Sequence, residues 1–420
     1  MIRFLTSLVE QGMGAAVTFG INLWLIRNGE AQSYGVYVFW YAVAWVLATC
    51  QFTLTVVHLS ALPSGSDRLA ERREPERVLL SATLLFLAFT AVGTLAANLI
   101  LRGVGSELYE VSAIGFIPEF LLYQYARAFA FSRKRVGLAA MMTGAVMFTS
   151  AIGLGLDELA GFVPAAPRVL TIVGLSYGIC GGMGLYLADR RIRPVWDASV
   201  FRRYTGYLAG SGWVALGAGS SELVSRFANF IVVAWFGSQA LARLSSVQVV
   251  IRPAWMLSAA WMSVGFPAMS TCRANGDRAG LRRAMLLGGG VTALGSAIWS
   301  GIVIVGWPWI SAALYRGRYA DIGLLGWLWG GNVLLGSIAL ALNCALLVLR
   351  EFKHLALIDL VGGVVCVGAS MMLLSHYDYT TSVIGTMAGQ ATQIALMAIA
   401  VGLRLRAPRK AGSVAGPATT

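Results

Sequence analysis

Residues 322–349 read IGLLGWLWGGNVLLGSIALALNCALLVL, 28 positions without one charge, between Asp321 and Arg350. In a helix such a run extends about 42 Å, more than the roughly 30 Å of a bilayer's hydrocarbon core. Working outward, similar apolar runs fill the chain almost from end to end. The predicted spans are 4–27, 36–62, 78–101, 110–131, 136–156, 169–188, 205–236, 239–269, 284–307, 322–349, 355–375 and 381–403. The split between 205–236 and 239–269 rests on Gly237 and Ser238. With 57% hydrophobic and only 12% charged residues, the chain reads as an all-α polytopic membrane protein. Lipid cannot satisfy free backbone N–H and C=O groups, so helices are the natural solution.

The net charge of +13 would suit a nucleic-acid binder, but its placement points elsewhere. Basic residues crowd alternate loops: Arg68, Arg72, Arg73 and Arg77; Arg133, Lys134 and Arg135; Arg190 through Arg203; Arg273 through Arg283; Arg350 and Lys353; Arg404 onward. The opposite loops hold only Arg27, Arg102, Arg168, Arg316 and Arg318. This positive-inside bias puts both termini of a multi-pass chain in the cytoplasm. The excess therefore reports topology and contact with membrane lipids, and no nucleic-acid partner is expected.

Little supports soluble chemistry. Cys50, Cys180, Cys272, Cys344 and Cys366 form no CxxC pair, and four lie inside spans with Cys272 in a loop. His58, His354 and His376 are scattered. They make neither a metal site nor a disulfide framework. No cofactor is expected, no GxxxxGK[ST] motif occurs, and the first helix lacks a signal-peptide cleavage pattern. The longest polar connections, 63–77, 157–168, 189–203, 270–283 and 308–321, are too short for a catalytic domain.

The two halves repeat loosely. A polar-streaked helix, a break at Gly29, a long helix, Pro63 and a basic loop with Gly65 and Asp67 open the first half. A helix with Glu222, a break at Gly237, a long helix, Pro267 and a loop with Gly276 and Asp277 open the second. Six spans in each half give copies of the same orientation, a pattern of transporters with a site at the repeat interface. The expected organisation is an N-terminal lobe over 1–203, a C-terminal lobe over 204–406 and a disordered cytoplasmic tail over 407–420.

Polar residues at bilayer depth are the candidates for function, since a central charge costs roughly 2.5–3.5 kcal/mol even on the insertion scale. They form stripes at helical spacing. Gln11, Thr18 and Asn22 share a face of the first helix. Tyr37, Tyr41, Gln51, Thr55 and His58 follow the second. Glu222, Arg226 and Asn229 line the seventh, and Ser245, Gln248, Arg252 and Trp255 the eighth. Two explanations stay open: glue between helices, or the wall of a hydrated central cavity. Arginine favours the cavity. Arg226 has Glu222 one turn away, whereas Arg252 has no acid at that spacing on its own helix. Arg127 lies near enough to a span end to snorkel. An unpaired guanidinium in a wet space matches a phosphate. A lipid diphosphate supplies such an anion, so Arg252, Arg226 and Arg127 are candidate cavity ligands, Gln248, Asn22, Gln51 and Asn229 candidate polar lining, and Tyr37, Tyr41 and Trp255 candidate surfaces for sugar rings. Glu10, Glu119 and Glu222 are the acids that a proton or ion gradient could use.

The segment from Ser7 through Pro63 resembles the opening of Wzx-type polysaccharide flippases, in the multidrug/oligosaccharidyl-lipid/polysaccharide exporter superfamily. The features that carry this are the polar first helix, the break Asn28-Gly29-Glu30-Ala31, and Ser33-Tyr34-Gly35-Val36-Tyr37 after it. Tyr123-Gln124-Tyr125-Ala126-Arg127 resembles the family's exit from the fourth helix, and Gly237-Ser238-Gln239-Ala240 with Arg252-Pro253 resembles the repeat of the opening. Arg243-Leu244 departs from the usual Gly-Tyr-like pair. With no helices beyond twelve, the chain is a poorer match to the fourteen-helix lipid II flippase. The resemblance implies two six-helix lobes around a cationic cavity. It implies alternating access and an oligosaccharide on undecaprenyl diphosphate carried to the periplasmic leaflet for exopolysaccharide, O-antigen or capsule. It also implies a monomer working beside a polysaccharide polymerase and glycosyltransferases, and no enzymatic activity. The alternatives are a cation-coupled drug exporter of the same superfamily, with acids dominating the cavity, and a membrane polysaccharide polymerase, which the short loops disfavour.

Overall fold

A computed structural model describes residues 2–62, 69–197 and 199–406. Pro63, Gly65, Asp67 and Arg68 of the first basic loop lie outside the described residues, as does the tail from 407. Among the described residues the chain is helical, with no strand.

The helices are α1 (Ile2–Asn28), α2 (Ala31–Gln51), α3 (Val57–Ala61), α4 (Leu69–Gly103), α5 (Ala113–Ser132), α6 (Val136–Leu159) and α7 (Ala166–Ala188). They continue as α8 (Ser199–Ile251), α9 (Ala254–Ala274), α10 (Arg278–Val305), α11 (Trp307–Tyr315), α12 (Gly323–Leu349), α13 (Phe352–Leu374) and α14 (Thr381–Arg406). A π turn at Phe52–Val56 joins α2 to α3. Helix α8 is two limbs: Gly237 adopts φ 81°, ψ 177°, a backbone that favours glycine. The second limb runs on into α9 through Arg252 and Pro253, where proline supplies no N–H for the helical ladder. Among the described residues the helices thus make twelve passes, with α11 an extra short helix between the ninth and tenth.

The passes pair in the same way in both halves. In the first, α1 packs on α6, α5 on α7, α6 on α7 and α4 on α5. In the second, the equivalent pairs are α8 on α13, α12 on α14, α13 on α14 and α10 on α12. Small residues allow the closest contacts. A Cβ on Gly389 would lie 2.7 Å from Gly362 O, and one on Gly385 2.1 Å from Ser370 Oγ, the small-residue packing typical of spanning helices. Between the halves, α2 lies along α8, and a Cβ on Gly35 would collide with the Ser238 backbone. The boundary expected at Arg203–Tyr204 falls inside the first turns of α8.

Nine stretches among the described residues are long and apolar enough to cross a membrane. Helices α1, α5 and α9 are not among them; α1 and α5 carry the polar residues Glu10, Gln11, Asn22, Glu119, Gln124 and Arg127. Large apolar side chains such as Phe89, Met141, Phe148, Val291 and Met372 point outward, while Thr83, Ser296 and Ser370 are fully buried. Apolar side chains thus cover the outside as well as filling the core, as lipid contact requires.

Two connections differ from expectation. The stretch 308–321 is not a plain polar loop. Trp307 and Pro308 start α11, and Trp307 Nε1 to Tyr319 O (2.9 Å) and Tyr315 Oη to Ser246 O (2.8 Å) tie it down. Cys272 sits in the last turn of α9 rather than in a loop; Gly276 (φ 71°) ends that helix and Asp277 caps α10 through Gly280 N at 2.7 Å.

The two ends of the bundle are built differently. At the end carrying the basic loops, Glu76 is buried between Arg72 (3.1 Å) and Arg133, and Arg133 also reaches Asp189 at 2.8 Å. Burial pushes the Asp189 carboxyl up, but the Arg191 N–H and the Arg133 guanidinium outweigh it and hold the group below its ordinary value. At the opposite end the halves are tied together. Arg318 donates to Gly29 O and Ile26 O, and the Ser238 N–H donates to Glu107 Oε1.

Candidate substrate cavity

Two cavities occupy the middle of the bundle. The larger, about 810 Å³, lies against α1, α5 and α6 and extends to α9, α10 and α11. The smaller, about 500 Å³, lies among α8, α9, α12, α13 and α14. Both fall in the size range of ligand sites. Arg226 and Arg252 line both and stand at their junction.

The larger cavity has an aromatic wall: Tyr41, Trp45, Phe120, Tyr123 and Tyr177. Its charged corner is closed on itself. Arg127 Nε and Nη2 bind Glu10 Oε1 and Oε2 at 2.5 and 2.8 Å, a bidentate pair. Thr143 Oγ1 also reaches Glu10 Oε1 at 2.8 Å and Tyr123 Oη at 2.7 Å. Higher on α1, Asn22 Nδ2 donates to Thr18 O at 2.6 Å and Asn22 Oδ1 accepts from Tyr34 Oη at 3.0 Å. Thr18 and Tyr41 hydroxyls meet at 3.2 Å. The polar groups in these clusters therefore have protein partners.

The junction is different. Arg226 Nε bonds Glu222 Oε2 at 2.7 Å and its guanidinium lies 5.7 Å from the Trp45 ring centre. Arg252 has no carboxylate within 4.0 Å among the described residues. The kink at Pro253 sets it there, and Trp299 Nε1 fixes the turn by donating to Val250 O at 3.0 Å. Arg226 and Arg252 share the walls of both cavities.

The smaller cavity takes Glu222, Gln248 and Trp255 from the expected set. It adds residues that the sequence stripes did not suggest: Asn332 and Asn343 on α12, Asp359 on α13, and Gln390 and Gln393 on α14. Asn332 Nδ2 donates to Gln390 Oε1 at 3.3 Å and Gln393 Nε2 to Asp359 Oδ1 at 2.9 Å. Gly362 leaves the room that Gln393 occupies: a Cβ there would lie 2.4 Å from Gln393 Cγ.

Three expected cavity residues, Gln51, Tyr37 and Asn229, line neither cavity, and neither does Glu119, one of the three expected coupling acids. Gln51 is 1% exposed and donates to Leu121 O at 3.1 Å, facing α5. Tyr37 is 1% exposed and stacks on Tyr41 at 5.7 Å, one turn short of the cavity. Asn229 is buried and lines neither cavity. Glu119 packs against α7, where a Cβ on Gly174 would sit 2.4 Å from its Oε2. Asn22, Tyr41, Arg127 and Glu10 line the larger cavity, Gln248, Trp255 and Glu222 the smaller, and Arg226 and Arg252 both.

No protein-family model matches the chain, and no curated protein does. Solved structures do. A MATE family multidrug resistance transporter of the MOP superfamily, in an inward-facing conformation, superposes with a TM-score of 0.70 at 12% identity, covering 95% of this chain and 98% of that one. The lipid II flippase MurJ, inward closed, gives 0.72 at 12% identity, covering 95% and 87%. A MOP superfamily transporter from Pyrococcus furiosus, described by a binding pocket of reverse polarity, gives 0.65 at 14% identity, covering 97% and 96%. The lipid II flippase, expected to match less well, fits the fold as closely as the multidrug transporter does; its longer chain is what remains uncovered. At such identities the likeness concerns architecture: the chain has the fold of MOP superfamily transporters.

Proposed function

We propose that the protein is a flippase for a lipid-linked oligosaccharide, moving the sugar-bearing head of undecaprenyl diphosphate across the membrane by alternating access. The observation that carries this is Arg252, a guanidinium with no acid partner, beside a second arginine at the meeting of two cavities in a lipid-embedded bundle. An uncompensated charge at that depth is costly, and a bound diphosphate would offset it through paired hydrogen bonds. Arg226 and Arg252 hold the diphosphate. Arg127, locked to Glu10, is a wall residue rather than a primary ligand. The apolar tail leaves sideways between α1 and the α9–α10 side, where Ala15, Ala16, Phe19, Met256 and Ile302 give the larger cavity an apolar lining.

In this reading residues 1–203 and 204–406 are lobes that rock about the cavity, with both termini cytoplasmic in a bacterial inner membrane. The protein works as a monomer beside a polymerase and glycosyltransferases, and no bond is made or broken. The test is transbilayer movement of a fluorescent undecaprenyl-diphosphate-linked sugar in proteoliposomes. Movement that requires Arg252 supports the reading, and equal rates with and without the protein overturn it.

A second reading, a cation-coupled multidrug exporter, is favoured by one observation: Asp359 lines the smaller cavity with Gln393 but no guanidinium as its partner. Efflux of a cationic dye from a deletion strain, restored by the wild type and lost in Asp359→Asn, would favour it.

A further inference from the structure

We infer that the smaller cavity is the sugar subsite, so that the head group is split at the two arginines: lipid and diphosphate toward the larger cavity, glycan into the smaller. The inference rests on the flippase reading above. Its basis is the supply of unused hydrogen-bonding capacity. In the larger cavity the polar clusters are internally satisfied: Glu10 with Arg127 and Thr143, Asn22 with Thr18 and Tyr34, Thr18 with Tyr41. Beyond these it offers the amides of Gln11 and Gln124, set in a wall that is otherwise largely aromatic and aliphatic.

The smaller cavity holds more such groups, gathered on one wall. Gln248 and Asn343 make no side-chain hydrogen bond to protein among the described residues. The Asn332–Gln390 pair uses one donor and one acceptor, leaving the Asn332 oxygen and the Gln390 NH2 group unspent. The Gln393–Asp359 bond leaves the Gln393 oxygen and one carboxylate oxygen. An amide brings a donor and an acceptor at once. A cavity of amides therefore fits ligand hydroxyls, each of which also donates and accepts. A bare cation uses oxygen acceptors alone and would leave the amide NH2 groups unspent. Trp255 adds a flat apolar surface for a sugar face, and its place depends on Gly336, where a Cβ would come within 2.6 Å of the indole. Because Arg226 and Arg252 line this cavity too, a sugar one bond from the diphosphate reaches its wall.

The test uses the full chain in lipid nanodiscs and two kinds of probe: bare undecaprenyl diphosphate, and a panel of undecaprenyl-diphosphate-linked mono- and disaccharides. The readout is the affinity ratio of each sugar-bearing probe to the bare one. At least one sugar-bearing probe should bind the wild type about tenfold more tightly than the bare lipid. Asn343→Leu, which breaks no internal hydrogen bond, should bring that ratio close to one while the bare lipid binds as before. Gly336→Ala, which displaces Trp255, should lower the ratio as well. The inference is overturned if no sugar-bearing probe exceeds the bare lipid, if the ratio survives both substitutions, or if they alter cation dependence of transport and leave the ratio intact. Failure of the flippase reading looks different: bare undecaprenyl diphosphate would then bind equally well to wild type and Arg252→Ala.

Discussion

Arg127 and Arg252 line the same cavity and differ in one respect. Arg127 ends in a bidentate pair with Glu10, which is 2% exposed and also bound by Thr143. Arg252 ends in open space between two cavities. The first arrangement joins α1 to α5 and α6 and spends its charge inside the protein. The second leaves a charge for something from outside. A buried arginine is thus not by itself a ligand site; its partner decides. Arg226 lies between these extremes, tied to Glu222 but still part of the cavity wall.

The largest effect should come from the free guanidinium. Arg252→Ala should abolish transport, by 100-fold or more in proteoliposome flux, with wild-type protein levels in the membrane. Arg252→Lys should keep a minor part, since an ammonium carries the charge without the planar fork. Next comes the locked pair. Glu10→Gln should lower stability by roughly 1–2 kcal/mol, because it takes the bidentate carboxylate from a half-buried guanidinium; thermal unfolding in detergent would show it. The double change Glu10→Gln with Arg127→Gln should recover most of that loss. If Glu10→Gln stopped transport at full stability, the corner would be functional and the contrast with Arg252 would fail.

Smaller effects sharpen the middle case. Glu222→Gln should tighten binding of an anionic head group several-fold, by freeing Arg226 from its acid; weaker binding would mean that Glu222 serves the transport cycle. Glu119→Gln should leave flux within about twofold, since Glu119 packs on α7 away from both cavities. A large loss there would place a coupling step outside the cavities.

This contrast was partly legible in the sequence. Spacing on one helix was enough to pair Arg226 with Glu222 and to leave Arg252 without an acid, and Gly237 marked the break between the two limbs of α8; the turn at Pro253 lay unread inside the predicted span 239–269. The partner of Arg127 was not legible, because Glu10 lies 117 residues away and meets it only through the packing of α1 beside α5 and α6. Nor were Asn332, Asp359, Gln390 and Gln393. Each is an isolated polar residue in an apolar run, and only the packing of α12, α13 and α14 brings them together. The stripe on α2 misled for a geometric reason. A 3.5-residue repeat drifts about 20° per heptad against a straight helix. Tyr41 therefore faces the cavity while Gln51, just before the π turn, faces α5.

The most direct measurement compares binding of undecaprenyl diphosphate and uncharged undecaprenol to the wild type and to Arg252→Ala in nanodiscs. A strong wild-type preference for the diphosphate that disappears in Arg252→Ala is the predicted result. A preference that persists undiminished without Arg252, or no preference in the wild type, would contradict the assignment of this side chain to the anion.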